Sequence, residues 1–196
     1  IKFRDQSWCR PAVDDDPARC YDPAAAGLTT ATYVDDKSSD RDGAIVDADI
    51  EINGVDFSIS VDGTTLGTQP CKSELQNTLT HELGHLHGLE HTCTVPGDPM
   101  RVDNNGDKVP ACSSSMADPA VTEPTMYNFQ DCGETKKESL EPDDINAICT
   151  IYPLANDPKT CAPVDSGGGC CSTGTDPAGP AVLLGIALVG LRRRRR

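Results

Sequence analysis

Aromatic side chains are scarce in this chain, at 4% of 196 residues, and its 17 Lys and Arg are outnumbered by 31 Asp and Glu. The first shortage argues against a large aromatic core. Together with 17 Gly and 15 Pro, it points to a compact domain with long, ordered loops. The second shortage gives a net charge of −14 and a pI near 4.5. That argues against nucleic acid as a partner, because phosphate binding needs clustered cations. No C-x-x-C pair occurs, so a ribbon- or finger-type structural zinc site is not expected. The longest apolar run, Ala178–Leu191, has 14 residues, short of the roughly 17–25 that a spanning helix needs. No signal peptide is visible at Ile1, and an amino-terminal part carrying one is expected to be missing ahead of it.

Cysteine, by contrast, is plentiful. Cys9, Cys20, Cys71, Cys93, Cys112, Cys132, Cys149 and Cys161 are spread along the body, and Cys170 and Cys171 are adjacent near the end. Eight spread cysteines can close up to four disulfides, which persist outside the cytosol. Buried free thiols are the alternative, but at this density export is the better reading. Cys9–Cys20 and Cys93–Cys112 are the natural local pairs.

Hydrophobic patterning predicts an α+β domain. Residues 1–27 are irregular by pattern. Thr29–Val34 and the alternating Ala44–Asn53 read as strands, Asp56–Val61 as a shorter one, and Gly63–Pro70 as a loop. From Cys71 to Leu86 the spacing turns helical, with Leu75, Leu79, Leu83 and Leu86 on one face, Ser73 as N-cap and Gly88 as terminator. Residues 92–124 form a long loop, of the kind that is functional or pinned by disulfides or ions. Leu140–Tyr152 reads as a second helix, with Ile145, Ile148, Ile151 and Tyr152 on one face. The pattern divides the chain into an irregular amino-terminal part at 1–27, a main domain at 28–160, a Cys/Gly/Ser-rich linker at 161–177 and an apolar, arginine-ended tail at 178–196.

All four histidines fall between His81 and His91. On a helix His81 and His85 lie one turn apart on one face, so both imidazoles reach one ion. The next turn would carry a third ligand past that ion. Gly88 can take positive φ and fold the chain back, which brings His91 to it. Three neutral imidazoles leave a fourth zinc position for water, and Glu82 is placed to act as general base. A chance match to all these positions is expected on the order of once in a hundred thousand chains of this length. His87 lies off the ligand face and reads as a surface or packing residue.

The string His81-Glu82-x-x-His85-x-x-Gly88-x-x-His91 resembles the signature of the metzincin zinc proteases. Glu123-Pro124-Thr125-Met126-Tyr127, with Met126 lying 35 residues beyond His91, resembles their Met-turn. The resemblance places Met126 beneath the three imidazoles. Asp47–Asn53 is similar to the strand before the active-site helix in bacterial members, and Leu140–Ile148 to the start of the matrixin carboxy-terminal helix. The likeness covers roughly residues 28–153 and implies a metzincin-like catalytic domain: a small twisted mixed sheet, an active-site helix and a C-terminal helix. It implies a zinc endopeptidase acting on protein or peptide substrates. Asn128 replaces the usual Pro after Met-Tyr, which implies an altered S1′ wall. No histidine lies between Asn53 and Leu75, so the second, structural zinc of animal matrixins is not expected, and no cysteine-switch propeptide is present. The family's amino-terminal strand and first helix are expected to be truncated. A surface adhesion module stabilised by zinc is the alternative reading, against which the intact Glu82 argues.

Three further features leave two readings each. Asp103, Asn105 and Asp107 alternate oxygen ligands that could cap a calcium ion; lacking a bidentate Glu at the right offset, they read better as an Asx-rich turn. Tyr127 could stabilise an oxyanion, though its position beside Met126 favours packing. The order Cys170-Cys171, spacer, Ala178–Leu191, Arg192–Arg196 resembles the MYXO-CTERM sorting tail of myxobacterial surface proteins. That implies cleavage near the cysteines after the tail has entered the membrane with its arginines cytoplasmic; a simple unprocessed membrane tail is the alternative. Either way the body, expected to be a monomer, lies outside the cell.

Overall fold

In the computed structural model, residues 1–14, 17–62, 72–103, 105–116 and 118–156 are described. The linker at 161–177, the tail at 178–196, the loop predicted at 63–70, and Cys71, Cys161, Cys170 and Cys171 lie outside them.

The architecture is α+β. Among the described residues its main sheet has three strands in the order β1 (Lys2–Arg4), β5 (Ile45–Asn53), β4 (Gly27–Tyr33), with β1 parallel and β4 antiparallel to the central β5. The sheet is therefore mixed, and β4 is one of its edges. Residues 1–27 are more regular than their pattern predicted. Besides β1 they contain a two-stranded ribbon, β2 (Cys9–Arg10) with β3 (Arg19–Cys20), closed by a Cys9–Cys20 disulfide between directly paired residues. Strands of two or three residues are too short to show a period, which is why pattern alone missed them.

The alternation in β5 predicted a strand with a polar outer face. Ile50 and Ile52 are buried, but so are Glu51 and Asn53. The cause is cross-strand chemistry. Arg4 on β1 pairs with Glu51, and the Asn53 amide donates to Ala25 O and Asp56 at 3.0 Å each. Both faces of the carboxyl half of β5 are therefore covered, while Ile45 and Val46 at its start remain exposed.

Helix α1 spans Leu75–Leu86, four residues shorter at its start than expected. Lys72–Glu74 is instead a strand, β7, parallel to β6 (Ser58–Ser60). Ser73 is not the N-cap; its hydroxyl bonds Thr78 Oγ1 at 2.9 Å. Glu74 caps the helix, accepting from the Asn77 N–H at 2.6 Å. The expected leucine face is not the buried one either. Leu83 is 43% exposed, whereas Asn77, Thr78, His81 and Glu82 are buried. The helix turns a polar face inward because that face is saturated with hydrogen bonds. Asn77 donates to Gln130 Oε1 at 2.9 Å and accepts from the Lys137 N–H at 2.8 Å, while Gln130 donates to Ser73 Oγ at 2.7 Å.

Within the long loop after α1 lie two short helices, α2 (Cys112–Ser115) and α3 (Pro119–Thr122). The Cys93–Cys112 disulfide pins it, and Val121 joins that pair in a small apolar core. Helix α4 (Pro142–Ile151) begins at a capping box between Glu141 and Asp144. Its predicted apolar face is largely open among the described residues, with Ile145, Ile151 and Tyr152 exposed. Cys132 and Cys149 are also oxidised to disulfides. No helix of the described residues is long and apolar enough to cross a membrane.

Candidate metal centre

The end of α1 builds the site. His87 closes the helix, and Gly88 follows at φ +89°, a conformation open to glycine at little cost. The Gly88 N–H bonds His85 O at 2.9 Å and the Leu89 N–H bonds Gly84 O at 3.0 Å, the paired pattern of a Schellman turn. This reversal carries His91 back over the helix. It also presents the Leu89 carbonyl to His85, whose Nδ1 lies 2.9 Å from that oxygen.

The second wall is the turn at Pro124–Tyr127, where the Tyr127 N–H bonds Pro124 O at 3.1 Å. Thr125 O lies 2.7 Å from His81 Nδ1. A carbonyl only accepts, so His81 and His85 both carry their proton on Nδ1, leaving each Nε2 lone pair unprotonated. Those lone pairs converge on His91. His91 Nε2 lies 3.2 Å from His81 Nε2 and 3.1 Å from His85 Nε2. A proton on His91 Nε2 can serve one of these contacts at a time, whereas a cation between them serves all three nitrogens. Tetrahedral zinc with bonds of about 2.0–2.1 Å would set such atoms roughly 3.3 Å apart, so the donor set fits that ion. Burial pushes His81 down to about 3 and His91 to about 4, keeping both neutral and able to ligate at neutral pH. Among the described residues these three form the one His, Cys, Asp and Glu group able to hold a metal.

Met126 is 3% exposed and packs against the helix at Gly84, between the turns that carry His81 and His85. Glu82 is 5% exposed. Its Oε2 accepts from the Thr29 hydroxyl at 2.8 Å. Burial raises its carboxyl above the usual range, opposed by the Thr29 hydrogen bond and the charge of Lys137. Gly27, also on β4, makes room for it: a Cβ there would stand 2.7 Å from Glu82 Oε1. A cleft of about 510 Å³ opens over these groups, lined by Gly27, Leu28 and Thr29 on one side and Asn128, Phe129 and Lys137 on the other, with the three histidines and Glu82 between.

The structure thus brings together His81, His85, His91, Glu82 and Met126. It leaves three other candidates outside. His87 is exposed, its Nδ1 bonded to Leu83 O at 2.7 Å. Tyr127 packs edge-on against Phe129 and beside the Cys93–Cys112 cluster. Asp103 directs its carboxylate inward to its own turn, accepting from the Asp107 N–H at 2.8 Å and from Asn105 N–H and Nδ2 at 2.9 and 3.3 Å. Through these bonds Asp103, Asn105 and Asp107 form an Asx-rich turn. Sequence reasoning missed Thr29, Gly27 and Lys137, which lie far from the histidines along the chain and belong to no local motif.

The chain matches no protein-family model, no curated protein and no solved structure.

Proposed function

We propose that the chain is a zinc endopeptidase of the metzincin type, close to the matrixins, that hydrolyses peptide bonds outside the cytosol. The observation that carries this reading is the convergence of the His81, His85 and His91 Nε2 atoms in the same cleft as a buried, hydrogen-bonded Glu82. A zinc held only for structure takes four protein ligands and needs no base beside it. The Gly88 reversal and the packing of Met126 on Gly84 support the family reading, and the disulfides support an oxidising compartment.

His81, His85 and His91 would hold the metal. When bound, zinc lowers the pKa of a water toward about 7 and polarises a carbonyl. Glu82 takes the proton from the attacking water and returns it to the leaving amine. Thr29 holds the Glu82 carboxylate in place by its hydroxyl. Strand β4, an edge of the sheet among the described residues, offers its outer backbone to an extended peptide, which would lay the scissile bond along the cleft.

The test is zinc content and cleavage of a quenched peptide library by the oxidised chain, with and without chelator, beside Glu82→Gln. One zinc per chain, chelator-sensitive cleavage and a loss of about 10²–10⁴-fold in Glu82→Gln with zinc retained are expected. Zinc without cleavage in the wild type would favour a zinc-stabilised binding module instead.

A further inference from the structure

Lys137 is 2% exposed, yet it lines the cleft beside His81 and Glu82. Its main chain is fixed by Asn77 on α1, and its Nζ donates to Tyr127 O at 2.8 Å and Phe129 O at 2.9 Å. These are neutral acceptors. They engage two of the three ammonium N–H groups, and among the described residues no carboxylate forms an ion pair with it. Burial brings its pKa down to about 8, so it remains a cation at neutral pH. Its charge reaches the site, favouring ionised Glu82 and neutral His81 and His91.

Tying down two carbonyls does not require a charge, and a buried cation without a direct ion pair is costly; Glu134 and Glu82 act on it only through space. Lys137 lines the cleft, in a chain whose net charge of −14 otherwise repels anions. We propose that Lys137 is the specificity residue of this cleft, pairing its ammonium with a carboxylate of the bound peptide close to the scissile bond. The substrate class is then peptides with Asp or Glu at that position, or with their own terminal carboxylate there. This rests on the peptidase reading for its setting but not for its test.

The experiment scans Glu against Gln through each position of a peptide, with free and amidated carboxyl termini. Cleavage is measured with the wild-type chain and binding with the Glu82→Gln chain. At one position Glu should exceed Gln by about tenfold or more in kcat/KM and in affinity, whereas at distant positions the acidic surface should make Glu neutral or worse. Preference that follows the free terminus rather than an internal Glu identifies the terminal carboxylate as the source. In Lys137→Met the Glu-to-Gln ratio should fall toward one, and Lys137→Arg should retain it. Equal affinity for Glu and Gln peptides at every position, with no effect of the free terminus, overturns the proposal, even if Lys137→Met does not fold. So does a preference that survives in a folded Lys137→Met chain. Absence of cleavage with the binding preference intact would count against the peptidase reading and leave Lys137 as the carboxylate receptor.

Discussion

Met126 occupies the space that a side chain at Gly84 would fill: a Cβ on Gly84 would stand 2.2 Å from Met126 Sδ and 3.2 Å from its methyl. The thioether therefore touches helix backbone, one residue from His85 and three from His81. The close approach lets the turn at Pro124–Tyr127 deliver the Thr125 carbonyl to His81 and the Met126 carbonyl to the Thr92 N–H. One small residue thus couples the helix to the turn that orients its first ligand.

Gly84→Ala should therefore destabilise the chain by about 1–3 kcal/mol, although Ala is the better helix former. Combining it with Met126→Ala should cost less than the sum of the two single changes, because the second removes the atom that the first strikes. Denaturant unfolding of the four proteins measures this. Additive losses would show that the two residues are not in contact.

Removal of the metal should leave a chain whose stability depends steeply on pH. The folded-state values of His81 and His91, about 3 and about 4, lie below the roughly 6.5 of an unfolded histidine. Between these limits the unfolded chain binds protons that the folded one refuses. Stability is therefore full above about pH 6.5 and declines as pH falls toward 4, at up to about 1.4 kcal/mol per pH unit for each histidine. His91 is only partly buried, so its share is the smaller. Urea titrations of the chelated protein from pH 7.5 to 4.5 test this, and zinc at 100 times its Kd should restore about 2.7 kcal/mol at neutral pH. A flat profile in the chelated protein would count against the neutral, buried ligand set.

His81, Glu82, His85, Gly88 and His91 were legible because a helical turn and a glycine reversal fix their relation locally, without the rest of the fold; Met126, 35 residues beyond His91, entered only through the family resemblance. The strands at Thr29–Val34, by β-branched and aromatic composition, and Ala44–Asn53, by period, were legible within two residues at each end. Burial was not. Period assigns leucines inward, yet α1 turns Asn77 and Thr78 inward, because Gln130 and the Lys137 backbone satisfy them from more than 50 residues away. The same distance hid Thr29 from Glu82 and Lys137 from the cleft. A pairing that depends on the packing of separate elements leaves no spacing for a reader of the chain to find.

The Cys93–Cys112 disulfide begins two residues after His91 and closes a loop with a sequence separation of 19. A crosslink of that span contributes on the order of 3 kcal/mol. Because it also tethers the segment leaving His91, its removal should weaken zinc binding, by about tenfold or more. Replacing both cysteines by serine and measuring zinc affinity by competition tests this. Loss of Cys9–Cys20, on the far ribbon, should lower stability and leave zinc affinity unchanged. Equal effects of the two changes on zinc would show that the Cys93 tether does not hold His91.

Thr29 should set the acid limb of the pH–rate profile without taking part in the chemistry. Glu82 must be ionised to accept a proton, and its carboxyl is raised by burial while the Thr29 hydrogen bond acts to lower it. Thr29→Val keeps the shape and removes the donor, so the carboxyl should rise further and the acid limb should move to higher pH. At a fixed pH on that limb the rate should fall on the order of tenfold, the scale of one hydrogen bond to a charged group. The plateau at higher pH should change less, because there Glu82 is ionised in both proteins. Thr29→Ser restores the donor and should bring the limb back. A uniform loss across the whole profile, with no displacement of the limb, would mean that Thr29 supports the strand and does not tune the base.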